Sequence, residues 1–286
     1  MIKLLLHKTT LTSALVLVLV SLFSYPQPVQ PIPIDSSIMV AQGNKQTNFR
    51  PRNRGRRGRR RSGAIRTANI CQVDSSLRLT ALVPKATTKD SREPWTDEEE
   101  PILSGTLESH PTFRFYIPNY EAQPLTAKLT IQDENQGEEI HKVEVELTNT
   151  PGIISIKIKG EKGLEAGKIY YWQFQVICDR NDSNKNPRVE GWIERDSLAA
   201  LTHEEQQTLE DGTPQEKLDI YFEHKIWHEA LELLIEERHQ NPDNLSTYWK
   251  GMMYQEEDDI LREVAEEMIV DCCSVSIAEE ENPAGS

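Results

Sequence analysis

The sequence predicts a mainly β protein, an immunoglobulin-like or fibronectin-like β-sandwich followed by a small α-helical C-terminal region. Three observations support this fold class. Short apolar runs, several with a period of two, fill residues 77–195, as expected for half-buried strands. After Asp196 the apolar period changes to about 3.6, which indicates helices. The residues before 67 are rich in arginine, which predicts a disordered N-terminal segment.

The clearest predicted strand runs from Tyr170 to Cys178, where every second residue is apolar and Gln173 and Gln175 occupy the opposite face. The predicted strands are Leu77–Val83, Thr112–Ile117, Ala127–Ile131, Val143–Leu147, Ile153–Ile158, Tyr170–Cys178 and Val189–Ile193. Short strands at this spacing are typical of a two-sheet sandwich.

Tyr170 stands at the start of its strand after the loop from Leu164 to Gly167. In immunoglobulin-like sandwiches, a tyrosine at such a corner bonds back to the preceding loop. An ordinary core aromatic is the alternative, and neither role is catalytic.

An apolar stripe predicts a helical hairpin or bundle in the region after Asp196. Its members are Leu218, Tyr221, Phe222, Trp227, Ala230, Leu231, Leu234 and Ile235. Pro214 suits a first helical turn, and residues 241–243 separate a further helix that begins near Leu245. The spacing from Ala230 to Pro242 resembles one tetratricopeptide repeat, but stable arrays need about three. The hairpin either binds a partner or supports the β domain.

The chain divides into a signal peptide (residues 1–41), a disordered Arg/Gly-rich arm (42–66), a β-sandwich (67–196) and a helical region with an acidic tail (197–286). Lys3 and Lys8 precede an apolar run from Leu11 to Phe23, which is the layout of a secretory signal. That run is shorter than the roughly 20 residues of a spanning helix. We therefore expect no transmembrane span in the mature chain and an extracytoplasmic (periplasmic or secreted) location. An uncleaved anchor is the alternative.

Charge is distributed unevenly along the chain. Residues 1–66 contain 12 basic and 1 acidic side chain, whereas the rest of the chain contains 20 basic and 45 acidic. The arm concentrates this positive charge in Arg50, Arg52, Arg54, Arg56, Arg57, Arg59, Arg60 and Arg61. We expect it to bind anionic groups of a cell envelope or the acidic body of the protein itself, or to be a solvated linker. Nucleic acid is disfavoured because no aromatic residue is interleaved for base stacking.

Four cysteines in an exported chain favour disulfides. We predict a bond between Cys71 and Cys178, because Cys71 precedes the first predicted strand and Cys178 ends the best-defined one. The adjacent Cys272 and Cys273 have three alternatives: a vicinal bond, pairing with a partner chain, or packing as small apolar residues.

No catalytic residue, metal site or cofactor is predicted. His224 and His228 are four residues apart and would share one face of an unbroken helix with Glu232, but the glutamate that follows the first histidine in metalloproteases is absent. A chain turn at Lys225 would separate the two rings. The acidic runs at Asp97–Glu100 and Glu256–Asp259 are interpreted as solvated.

The chain resembles the cyanobacterial domain-of-unknown-function family numbered 928. The segments that carry the resemblance are Arg61–Arg66, Cys71, Leu79–Pro84, His110–Pro118, Pro151–Ser155, Tyr170–Asp179, Gly191–Arg195 and Ile226–Leu231. The resemblance implies a secreted or periplasmic origin, a β domain followed by helices, and no assigned activity. The family tends to have a glycine where this chain has Lys225, so a helix break is expected there by analogy.

The sequence leaves two functions open. The first is a non-catalytic, exported envelope interaction or scaffold module, whose partner is an envelope protein or an anionic envelope surface and whose Arg-rich segment is a tether. The alternative is a carbohydrate-binding or metal-dependent hydrolytic β-sandwich, in which exposed aromatics such as Trp95 and Tyr120 stack on a sugar.

Overall fold

A computed structural model of the chain describes residues 46–63, 71, 73, 76–88, 99–121, 125–135, 137–241, 243–256 and 258–276. The predicted signal peptide and Trp95 lie outside the described residues. The strands are β1 Arg56–Gly58, β2 Thr80–Ala81, β3 Glu100–Ile102, β4 Ser104–Thr106, β5 Thr112–Ile117, β6 Leu125–Asp133, β7 Glu139–Leu147, β8 Gly152–Lys157, β9 Ile169–Ile177, β10 Arg188–Arg195 and β11 Ser274–Ser276. The helices are α1 His203–Asp211, α2 Pro214–Glu223, α3 Trp227–Gln240, α4 Ser246–Met253 and α5 Asp259–Val264.

Two main sheets face each other across one core, so the mainly β prediction is confirmed. The larger sheet has the order β11-β7-β6-β9-β10-β4, the smaller one β2-β5-β8, and β1 and β3 form a separate pair. Pairing is antiparallel except between β10 and β4. Between the sheets, the rings of Phe115 and Phe174 stack with centroids 4.0 Å apart, and Phe113 lies edge-on to Trp172.

Residues of β9 alternate between the core and the opposite face of the sheet, as the sequence predicts. Tyr170, Trp172 and Phe174 are buried, whereas Tyr171 and Gln173 on the other face are partly exposed. Because successive residues of a strand point to opposite faces, one apolar residue in two is enough to form half of the core. Each predicted strand region contains a strand, although only Thr80 and Ala81 are extended in the first.

The smaller sheet is covered on its second face by the helices. All six residues of β5 are buried, because Phe113 and Phe115 face the larger sheet while Tyr116 packs in the helical core with Trp227. Trp227 is fully buried and its indole N–H donates to the carbonyl of Leu82 at 2.8 Å. The described body therefore has three layers: large sheet, small sheet and helices.

Helix α2 begins where Pro214 predicts a first helical turn. Thr213 caps α2 in a capping box with Glu216, and Pro214 occupies the first turn. Such a cap contributes about 1 kcal/mol. The predicted apolar stripe is divided between two helices, because Lys225 adopts a left-handed conformation (φ 59°) and the chain turns before α3. The expected break near Lys225 is thus confirmed.

Candidate functional site: the arginine segment and the seam beneath helix α3

The described part of the arginine segment, residues 46–63, is folded against the sheets and helices, so the prediction of a disordered arm is wrong for these residues. Phe49 is buried and its ring contacts those of Phe222 and Trp227 at centroid distances of 5.3 and 4.9 Å. Its backbone N–H donates to the carbonyl of Gly251 at 3.1 Å. One apolar anchor and the main chain therefore attach the segment to the helical layer.

Arg60 is the centre of the attachment and is 1% exposed. Its guanidinium donates to Glu100 at 2.8 Å through Nε and to Asp258 at 2.5 Å through Nη1. Burial alone would lower the pKa of Arg60, but the two carboxylates outweigh that effect and raise it. The acidic runs are therefore not merely solvated, since Asp258 is 3% exposed and belongs to this buried pair.

Further arginines of the segment pair with carboxylates of the sheets and helices. Arg52 donates to Glu194 at 2.6 Å and to Asp196, at the end of β10. Arg61 donates to Glu263 on α5 at 2.5 Å. Composition alone indicates repulsion among these arginines, but acids that are remote in sequence supply their counter-charges.

Not every arginine of the segment is directed inward. Arg56 donates to Glu134 and lies over the ring of Trp192 at 5.1 Å, and Arg59 pairs through its backbone with Glu190. By contrast, Arg50, Arg54 and Arg57 are exposed; Arg57 also lies 3.5 Å from Glu99. We call these three residues the basic surface.

A buried polar seam, formed by Ser104, Thr106, Arg114, His228 and Glu229, connects α3 to β4 and β5. His228 Nδ1 lies 3.1 Å from the carbonyl of Thr112, and Nε2 lies 2.9 Å from the hydroxyl of Ser104. Since a carbonyl only accepts, Nδ1 carries the proton. The single hydroxyl proton of Ser104 lies within reach of two acceptors, His228 Nε2 and the carbonyl of Trp192 at 3.2 Å. Burial lowers the pKa of His228 to about 4, which keeps the ring neutral.

Ser104 and His228 have the spacing of a nucleophile and its base, but they are 0% and 3% exposed. A substrate cannot reach this hydroxyl in the folded protein. The pair therefore fastens α3 to β4, and its role is structural.

Glu229 completes the seam by capping the loop that follows β4. Its Oε1 accepts from the hydroxyl of Thr106 and from the backbone N–H groups of Leu107 and Glu108, at 2.9 and 3.0 Å for the latter two. Burial nevertheless raises the pKa of Glu229 to about 7. Nearby, burial lowers the pKa of Arg114, with the carboxylate of Glu232 opposing that effect from 4.0 Å.

The two histidines of the hypothetical metal pair diverge. His224 ends α2 and its Nε2 lies 2.7 Å from Glu205, whereas His228 points into the seam. Among the described residues, no group of three or more His, Cys, Asp or Glu side chains is arranged to hold a metal ion. Tyr120, one of the predicted sugar-stacking aromatics, is buried, so the expectation that it is exposed is wrong.

The structure pairs the cysteines as Cys71 with Cys178 and Cys272 with Cys273. The first pair has a Cα separation of 5.6 Å and joins the buried ends of distant segments. The second is the vicinal alternative. The hydroxyl of Tyr170 accepts from the backbone N–H of Glu165 at 2.8 Å, which confirms the predicted corner bond.

Sequence reasoning missed the seam because nothing in the sequence distinguishes its polar residues. His228 and Glu229 follow Trp227 at the start of α3, where an ordinary amphipathic helix also carries polar side chains. Ser104 and Thr106 lie on a three-residue strand without a clear apolar pattern. Arg114 alternates with Phe113 and Phe115, which is the ordinary pattern of a strand with one solvated face, so it gave no signal either.

These features define a disulfide-bonded, three-layer module in which internal ion pairs attach the N-terminal segment to sheets and helices. The family model described as Domain of Unknown Function (DUF928) matches residues 55–269, and the chain belongs to that family. No curated protein matches the chain. Among the described residues, no helix is both long and apolar enough to cross a membrane.

Proposed function

We propose that this protein is an exported, non-catalytic interaction module that presents a fixed basic surface to anionic groups of the cell envelope. The observation that carries the proposal is the division of the arginine segment. Arg52 and Arg60 are buried or half-buried against carboxylates of the body, while Arg50, Arg54 and Arg57 are exposed on the same short stretch, Arg57 with Glu99 3.5 Å from its Nε. The segment is then a rigid contact surface and not a flexible tether.

Rigidity favours binding because the arginines lose little freedom on contact. A disordered arm would have to be ordered at the moment of binding, whereas this segment is already attached through Phe49 and Arg60. The residues after 66 carry 25 more acidic than basic side chains, so most of the molecule is repelled by an anionic surface. The uneven charge therefore orients the protein with residues 50–57 toward the anionic surface.

Two features support the location and the sandwich type in this proposal. Disulfides form and persist in oxidising compartments, and the two cysteine pairs fit the export that the N-terminal sequence predicts. The corner bond of Tyr170 supports an immunoglobulin-like sandwich, because that bond recurs at the corresponding corner of such domains.

The test is binding of the oxidised protein to isolated envelope and to vesicles that contain anionic lipid, at low and high salt. The triple variant R50Q/R54Q/R57Q should bind more weakly by about 3 kcal/mol, or roughly a hundredfold, given about 1 kcal/mol per basic side chain near an anionic surface. The matched control is K142Q/K159Q/K162Q, which removes the same charge from exposed positions on the body.

The proposal predicts that the control triple binds nearly as well as the unaltered protein and that high salt abolishes the difference. Equal losses in the two triples would show that net charge alone governs association. Salt-insensitive binding would also refute an electrostatic contact through the basic surface.

A further inference from the structure

The C-terminal segment, residues 268–276, crosses from the small sheet to the edge of the large one, and we call it the C-terminal strap. At its start, the carbonyl of Met268 accepts from Ile153 N at 2.7 Å, and Val270 N donates to the carbonyl of Ile153 at 2.9 Å. Gly152 permits this approach, because a Cβ there would lie 2.7 Å from Val270 Cγ1. At its end, β11 forms the edge of the large sheet and pairs antiparallel with residues 144–146 of the neighbouring strand β7.

The vicinal cysteine pair occupies the corner between these two attachments. Cys273 has a φ of 88°, a conformation that residues other than glycine rarely adopt. Two hydrogen bonds hold the corner: Cys273 N donates to Thr148 Oγ1 at 3.4 Å, and Asn149 Nδ2 donates to the carbonyl of Asp271 at 2.8 Å. The bond to Cys272 closes a small ring that restricts the backbone at this point.

The two disulfides differ in their accessibility. Cys71 is 0% exposed and Cys178 is 7% exposed, whereas Cys272 and Cys273 are both partly exposed. Exchange requires a thiolate to approach a sulfur atom, so an external reductant reaches the vicinal pair first. Reduction at the corner is therefore separable from reduction in the core.

We propose that Cys272 and Cys273 form a redox latch that keeps β11 on the edge of the large sheet. In the opening step, a thiolate of an external dithiol attacks one sulfur and breaks the bond between the two cysteines. The second thiol of the same dithiol then attacks the mixed disulfide and releases the protein cysteine. Two electrons and two protons pass to Cys272 and Cys273, and the dithiol leaves as a disulfide.

Opening the ring removes the covalent restriction that holds Cys273 at a positive φ, and β11 is then retained by its ladder with β7 and by the two corner hydrogen bonds. The strand is three residues long and, within the part of the chain that the structure describes, pairs with β7 alone, which is short for an independently stable ladder. Its departure exposes the backbone N–H and C=O groups on the outer side of residues 144–146. An unpaired edge of this kind accepts an additional strand.

The test uses the full-length oxidised protein treated with increasing dithiothreitol, followed by thiol alkylation, mass spectrometry and hydrogen exchange. Cys272 and Cys273 should be alkylated at dithiothreitol concentrations that leave Cys71 and Cys178 bonded. At that stage, exchange in residues 144–146 should be about tenfold faster, since the outer edge has lost its partner. Residues 126–131 of the inner strand β6 should be unchanged.

Two variants calibrate the result. C272S/C273S should exchange as the reduced protein does without any reductant, and a chain that ends at residue 273 defines the rate of the open edge. This truncation leaves the family-matched residues 55–269 intact. Unchanged exchange in residues 144–146 after selective reduction would overturn the proposal, as would reduction of the core pair at the same dithiothreitol concentration.

Discussion

Replacing Glu229 with glutamine should change how the free energy of unfolding depends on pH. The Glu229 carboxylate is buried where the first turn of α3 meets the loop after β4. Burial raises its pKa from 4.5 to about 7. Glutamine has a similar shape, its amide oxygen accepts the same backbone donors, and it does not titrate. The variant therefore isolates the cost of ionising this one group.

The direction follows from proton binding. Between pH 4.5 and 7 the folded protein holds a proton on Glu229 that the unfolded chain releases, so the wild type loses stability from this group as pH rises. A pKa raised from 4.5 to about 7 corresponds to about 3 kcal/mol. The unfolding free energy of E229Q minus that of the wild type should increase by this amount from pH 4 to pH 8.

His228 acts in the opposite direction, because its pKa is lowered to about 4. The unfolded chain takes up a proton at this residue as pH falls below its ordinary value of 6.5, so the folded protein loses stability down to about pH 4. In the wild type the two effects partly cancel. In E229Q the contribution of His228 is unopposed, and stability should rise steeply between pH 4 and 6.5.

The assay is urea unfolding followed by tryptophan fluorescence at several pH values. Exposed Glu236 lies on the same helix, so E236Q controls for the change in helix charge. A difference between E229Q and wild type that is constant from pH 4 to pH 8 would refute the reasoning. It would show that Glu229 has the same proton affinity in the folded and unfolded chain.

Three further predictions concern stability in the oxidised protein. Arg60→Met should lower the free energy of unfolding in urea by about 3 to 5 kcal/mol, because it leaves two carboxylates without their buried partner. The control Arg54→Met, at an exposed position, should lower it by under about 1 kcal/mol. Equal effects would contradict a buried ion pair. The variant C71S/C178S opens a loop with a sequence separation of 107 and should lose roughly 4 kcal/mol, measured as a lower urea midpoint; an unchanged midpoint would mean that the bond does not form. Tyr170→Phe removes an acceptor from a backbone N–H and should cost about 1 kcal/mol, and a neutral result would exclude the corner bond.

The elements that the sequence predicts are those whose signal is local. Alternation marks β9, a corner tyrosine marks its start, and Pro214 marks the start of α2. Each of these signals depends on residues within one or two helical turns or on one face of a single strand. Seven strand regions and the helical hairpin follow from such local patterns.

The parts that escaped prediction depend on distant partners. Arg60 lies 198 residues from Asp258, and without the fold its charge indicates only repulsion and disorder. Strands β1, β3, β4 and β11 have three residues each, too few to show a period. The polar seam likewise exists only because the helices cover the second face of β5.

The long separation between Arg60 and Asp258 also fixes the order of events during synthesis. The arginine segment emerges early, but Glu194, Glu263 and Asp258 are added much later. At about 5 to 20 residues per second, the 198 intervening residues take roughly 10 to 40 s to polymerise. During that interval the arginines have no carboxylate partners from the end of the chain. Arg60 therefore meets Glu100 early in synthesis, but it gains its second carboxylate, Asp258, only after most of the helical region has been made.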